Sequence, residues 1–194
     1  MKRTIIFIAI IGVCVAGYFY WQNVSASAIP AASVSEFLAG DVSDDFARVT
    51  EERTLEFPQA LGAHPEYQTE WWYYTGNVET DDGRQFGYQF TIFRRAITPP
   101  PDEDQNSESN WRTEQIYFAH AAIADIDNNS FLFGDHFSRG AAGLAGAESS
   151  PYYVWIEDWE VREIEPGKHE MYAQKEGVGF RFTLTETQTP VLHG

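Results

Sequence analysis

Residues 70–96 read EWWYYTGNVETDDGRQFGYQFTIFRRA, and the turn inside this stretch decides the fold. Two runs rich in aromatic and β-branched residues, 70–78 and 86–96, flank Asp81-Asp82-Gly83. An Asp-Gly turn between such runs is a strong short-range signal for an antiparallel hairpin. Successive side chains of a strand alternate between faces. Phe86, Tyr88, Phe90 and Ile92 therefore point one way, and Gly87, Gln89, Thr91 and Phe93 the other. Simple pairing across the turn brings Glu70 beside Arg94 and Arg95.

Working outward, the same rhythm continues. Residues 97–114 form a polar, proline-rich loop, and 115–126 read as a strand, although the alanines between 119 and 124 would also permit a helix. Asp127-Asn128-Asn129-Ser130 before the apolar Phe131–Phe133 run predicts a second hairpin. Residues 138–151, with Gly140, Gly143 and Gly146, read as a loop, and 152–164 as one alternating strand with Tyr153, Trp155, Glu157 and Trp159 on one side. A last hairpin pairs 169–174 with 178–185 across Glu176-Gly177, and residues 55–57 make a short strand upstream. The expectation is an all-β, antiparallel barrel or sandwich of about eight strands, a barrel best accounting for aromatics on both strand faces.

The N-terminus is a different kind of sequence. Lys2 and Arg3 precede an apolar run at residues 5–21, and Ser25-Ala26-Ser27-Ala28 follows. That is the pattern of a secretory signal, and 17 apolar residues also reach the lower limit for a membrane-anchoring helix. Both readings export everything after about residue 28, to the periplasm or beyond, with membrane contact only through residues 5–21. Residues 1–28 are thus a signal or anchor helix, 29–52 a tether with a helical turn near 35–39, and 53–194 the β domain.

Composition narrows the functions. The chain has 194 residues, 13 Lys and Arg against 29 Asp and Glu, and a net charge of −16. Without Lys2 and Arg3 the exported part carries 11 basic and 29 acidic residues. No basic stripe offsets this, which excludes an electrostatic grip on nucleic acid. The single cysteine, Cys14, lies in the apolar run; a disulfide framework, a thiol nucleophile and a CxxC centre are excluded. His64, His120, His136 and His169 have no metal-ligand spacing, and two acidic loops depart from the calcium-loop pattern at Ser107 and Ser130, where a glycine is required. Neither a metal nor a cofactor is expected. There is no G-x-S-x-G and no phosphate-cradling glycine loop.

What remains is the aromatic hairpin, with nine aromatic residues between Tyr67 and Phe93. Such rings pack a core or line a cavity for a long apolar ligand. Glu70 is either a salt-bridge partner of the arginines or a carboxyl in an apolar pocket able to donate a proton.

The stretch HPEYQTEWWYYTGN at 64–77 resembles the opening signature of the CrtC/AttH family. The resemblance continues through FGYQ at 86–89, Arg94-Arg95, Ala119-His120, FSRGAAGLAG at 137–146 and VWIEDW at 154–159. That family includes carotenoid 1,2-hydratase and proteins called predicted secreted hydrolases. The resemblance implies two lipocalin-like β domains in tandem, of which this sequence carries the first, so the expectation is part of a protein about twice as long. It implies a hydro-lyase or hydrolase activity whose chemistry sits in the other half, and a polyene or lipid-like small molecule as ligand. The positions it singles out are His64, Glu70, Trp71, Trp72, Tyr74, Arg94, His120 and Arg139, with no role attached to any. Together with the hairpin, the ligand-binding candidates are His64, Trp71, Trp72, Tyr74, Tyr88, Gln89, Arg94 and His120, and Glu70 is the catalytic candidate. The competing reading is a scaffold or non-enzymatic ligand-binding domain of the cell envelope.

Overall fold

A computed structural model describes residues 43–51, 54–99, 109 and 111–191. Among these described residues, nine antiparallel strands form two sheets. The first sheet is β1 (Thr69–Glu79), β2 (Gln85–Ala96), β3 (Gln115–Asp125) and β4 (Ser130–Arg139), in that order across the sheet. The second is β5 (Ala145–Ser149), β6 (Tyr152–Ile156), β7 (Trp159–Glu165), β8 (Lys168–Lys175) and β9 (Val178–Thr185), again in chain order. Each strand pairs with its sequence neighbour within a sheet, but β4 and β5 do not pair. The result is an open sandwich of two meanders, which removes the closed barrel from the two expected architectures and adds a strand to the expected eight.

The expected hairpin register is observed, with Glu70 opposite Arg94 and Val78 opposite Phe86. Alternation then carries one row of each strand inward. Phe90 and Ile92 from β2, Ala119 from β3, Val154 and Ile156 from β6, and Trp159, Val161 and Met171 from β7 and β8 are essentially inaccessible. Each large apolar side chain removed from water in this way contributes about 1.5–3 kcal/mol. Trp72, Tyr74 and Tyr88 flank that core.

Three expectations are corrected. Residues 152–164 are two strands, not one: Ile156 pairs with Trp159 across Glu157-Asp158, with Glu157 at φ 57°. A two-residue turn of this kind usually announces itself with Asn-Gly or Asp-Gly, and here it does not. The extra residues reverse the chain, so Trp159 faces the core with Ile156 instead of sharing a face with Trp155. The loop expected at 138–151 contains β5, whose small residues have a packing reason. A Cβ at Gly146 would lie 2.5 Å from the Trp155 ring, so the indole rests on bare backbone. Residues 55–57 form no strand; Leu55 and Phe57 are exposed, and a 3-10 turn follows at Gln59–Leu61.

The signal or anchor segment lies outside the described residues, as does the helical turn near 35–39. Among the described residues no helix is long and apolar enough to cross a membrane. The end of the expected tether is in contact with the domain: Phe46 is buried, and Ala47 N–H donates to Glu66 O at 2.9 Å.

Candidate functional site

The candidate residues separate into three places. The first is a polar clamp at one end of the sandwich. Glu70 Oε2 accepts from Arg94 Nε and from the His64 backbone N–H, both at 2.8 Å, and Oε1 lies 2.6 Å from His64 Nδ1. Arg94 is fully buried, and its Nη2 donates to the carbonyls of His64 and Tyr67, each at 2.7 Å. Trp72 Nε1 donates to Leu61 O at 2.8 Å. These bonds all tie the segment around 61–67 to β1 and β2, so His64, Glu70, Trp72 and Arg94 hold the loop onto the sheet. Tyr117 shares the inner row with them. Burial pushes its phenol up to about 12, with Arg94 pulling it down and Glu70 pushing it up. Among the described residues Arg94 Nη1 has no hydrogen-bond partner. Of the two readings of Glu70, the geometry is that of the ion pair.

The second place is the core. Tyr74 and Tyr152 join hydroxyl to hydroxyl across the two sheets. Burial raises the Tyr74 phenol well above its ordinary 10.0, and Tyr152 adds to this. Burial takes Tyr152 up to about 12, with the Tyr74 hydrogen bond opposing. Tyr88 packs 5.0 Å from Phe182, centroid to centroid. Tyr74 and Tyr88 pack against the core cluster.

The third place is the far side of the first sheet. Trp71, Gln89 and His120 point away from the core, because β1 to β3 put odd and even positions on opposite faces as Trp71↔Phe93↔Phe118 and Thr91↔His120 show. His120 sits edge-on to Phe118 at 4.2 Å. Its pKa is held below 6.5 by burial, with Asp135 raising it in part. Arg139 lies at the end of β4, 5.3 Å over the Trp111 ring.

None of these groups lines the cleft that opens between the two sheets. A volume of 340 Å³ opens between β3–β4 and β8–β9, where the sheets fail to close. Ala121, Ile123, Leu132, Trp159, Ala173 and Phe180 supply its apolar wall. Gly134 keeps it open, since a Cβ there would stand 3.0 Å from Lys175 Cδ and 3.2 Å from the Trp159 ring. Trp159 is fixed by its own donor, Nε1 to Gln174 O at 2.9 Å. Lys175 reaches across the mouth, Nζ donating to Asp135 O at 3.0 Å. One sequence signal points here: Phe131, Leu132 and Phe133 are apolar on both faces of β4, where an ordinary edge strand would be polar on one. Among the described residues no group of three or more His, Cys, Asp or Glu is placed to hold a metal ion.

An open antiparallel two-sheet domain with an apolar seam defines the class. The sequence profile of the AttH-like family matches residues 48–194, and the chain belongs to that family. Among solved structures it is similar to the crystal structure of an AttH-type protein from Nitrosomonas europaea, at 31% identity and a TM-score of 0.63. The match covers 77% of this chain and 43% of that one. No curated protein matches.

Proposed function

We propose that this chain is an exported domain that binds an apolar small molecule in the cleft between β3–β4 and β8–β9. The observation that carries the reading is the apolar cleft itself. Its 340 Å³ falls within the roughly 300–1,000 Å³ range of small-molecule sites. The ligand enters through the unclosed seam, past the Lys175–Asp135 contact. The resemblance to carotenoid 1,2-hydratases and predicted secreted hydrolases supports a polyene or lipid-like molecule as its class. In this reading the chemistry of hydration or hydrolysis belongs to a second lipocalin-like domain of the same protein, and export rests on residues 1–28. Glu70 and Arg94 serve the ligand only through the fold, because their hydrogen bonds hold the segment around 61–67.

The test is saturable binding of a fluorescent polyunsaturated fatty acid. Leu132→Asp puts a charge on the cleft wall at a half-exposed position, and it should weaken binding at least about tenfold, or about 1.4 kcal/mol. Unchanged affinity in that variant, or no saturable binding by the native chain, rejects the cleft and favours a scaffold role.

A further inference from the structure

The cleft is graded from bottom to rim. Ala121, Trp159, Ala173 and Phe180 are buried, whereas Leu132 and Phe133 are 47% and 73% exposed. The ionisable side chains that line it are Asp135, Lys175 and Glu176. Asp135 and Glu176 are exposed and Lys175 is half-buried, so the charges stand at the rim.

The bottom offers a ligand no free side-chain donor or acceptor. Trp159 Nε1 already donates to Gln174 O at 2.9 Å. Among the described residues the buried side-chain polar atoms without a partner are Arg94 Nη1 and Thr113 Oγ1, and neither residue lines the cleft. A polar group carried to the bottom would lose its water and gain no side-chain partner in return. A ligand therefore enters apolar end first and leaves its polar end at the rim.

Size and charge narrow the class further. A water-sized group takes about 30 Å³ and a methylene is close to that size, so 340 Å³ has room for about eleven. A much longer chain is held by one end, with the remainder outside. At the rim the Lys175 ammonium already serves Asp135, donating to its carbonyl at 3.0 Å and lying 3.4 Å from its Oδ1. An anionic head group would meet two carboxylates and one cation that is already paired, on a chain of net charge −16. It would also shed hydration that a hydroxyl does not carry.

We propose that the cleft selects a chain of about ten to twelve carbons with an uncharged polar end, an alcohol rather than a free fatty acid, and that Asp135 and Glu176 set this choice, which rests on the cleft being the ligand site. The hydroxyl lies at the rim, where a carboxylate accepts its hydrogen bond. A fatty acid still enters by its chain, but binds less tightly.

The experiment is displacement of the fluorescent fatty acid from the full chain, at about pH 8 and low ionic strength, by two sets of competitors. For straight-chain carboxylates of about six to sixteen carbons, affinity should rise about fourfold per methylene. It should level off near about twelve carbons, because further carbons stay in water. Decanol should bind at least about fivefold more tightly than decanoate. The double variant Asp135→Asn, Glu176→Gln, checked by circular dichroism for an intact β fold, should bring decanoate level with decanol. Three results each overturn the selectivity while leaving the cleft as a ligand site. They are affinity that keeps climbing through sixteen carbons, decanoate bound by the native chain as tightly as decanol, and a preference untouched by the double variant. Displacement by none of the competitors removes the ligand site itself, and the selectivity with it.

Discussion

Glu70 and Arg94 are cross-strand partners joined at 2.8 Å, and the guanidinium of Arg94 is wholly inaccessible to solvent. A buried charge without its counter-charge is costly, about 3–5 kcal/mol when one partner is removed. Glu70→Gln and Arg94→Met should each lower unfolding free energy by about that amount in urea titrations, and the double variant by less than the sum of the two. If Glu70→Gln leaves stability unchanged, the clamp is not what holds the segment around 61–67.

Gly179 is the tightest backbone approach in the second sheet. A Cβ there would stand 2.2 Å from Ala173 O and 2.6 Å from Gln174 Cα, both backbone atoms. Gly179→Ala should therefore cost about 3 kcal/mol, the upper end of overpacking penalties. Gly177→Asn is the control: its φ of 82° has open space around it, and Asn tolerates left-handed backbone. A near-native midpoint for Gly179→Ala would show that the β8–β9 turn can open.

The buried phenols make the fold sensitive to alkali. Tyr117 and Tyr152 reach about 12, and Tyr74 stands well above 10.0. For an acid whose pKa is raised by folding, the unfolded chain loses its proton first. The stability contribution is complete below about pH 10 and is lost as pH rises toward 12. Absorbance at 295 nm should show these tyrosines ionising late, with the urea midpoint falling over the same window. Uniform titration of all ten tyrosines near their ordinary value would contradict their burial.

His120 acts in the opposite direction. Burial between Phe93 and Phe118 holds its pKa below 6.5, so the unfolded chain binds a proton first on acidification. Stability attributable to this site is complete above about pH 6.5 and declines as pH falls toward the depressed value. His120→Asn should flatten the stability profile over that range, while a slope identical to the native chain's would assign the effect elsewhere.

The sequence by itself determined the first hairpin, its register and the Glu70–Arg94 contact, since a two-residue side-chain period and an Asp-Gly turn leave little freedom. It also carried the family signature, of which His64, Glu70, Trp72 and Arg94 form the clamp over the segment around 61–67. It did not disclose the Glu157-Asp158 reversal, because Glu157 takes the left-handed position where Asn, Asp or Gly is usual, no glycine follows it, and the closing pair Ile156–Trp159 is stabilised by burial. Nor did it show β5, since Gly146 and its alanine neighbours look like a loop until the Trp155 ring is placed on them. Where the candidates would meet was decided only in three dimensions. Alternation is local and sends Trp71 and Trp72 to opposite faces of one sheet. Which rings become core, which stay outside and where a cleft remains depends on the second sheet. Its approach is set by packing between residues some 80 positions apart, as with Tyr74 and Tyr152, and no short-range pattern encodes that distance.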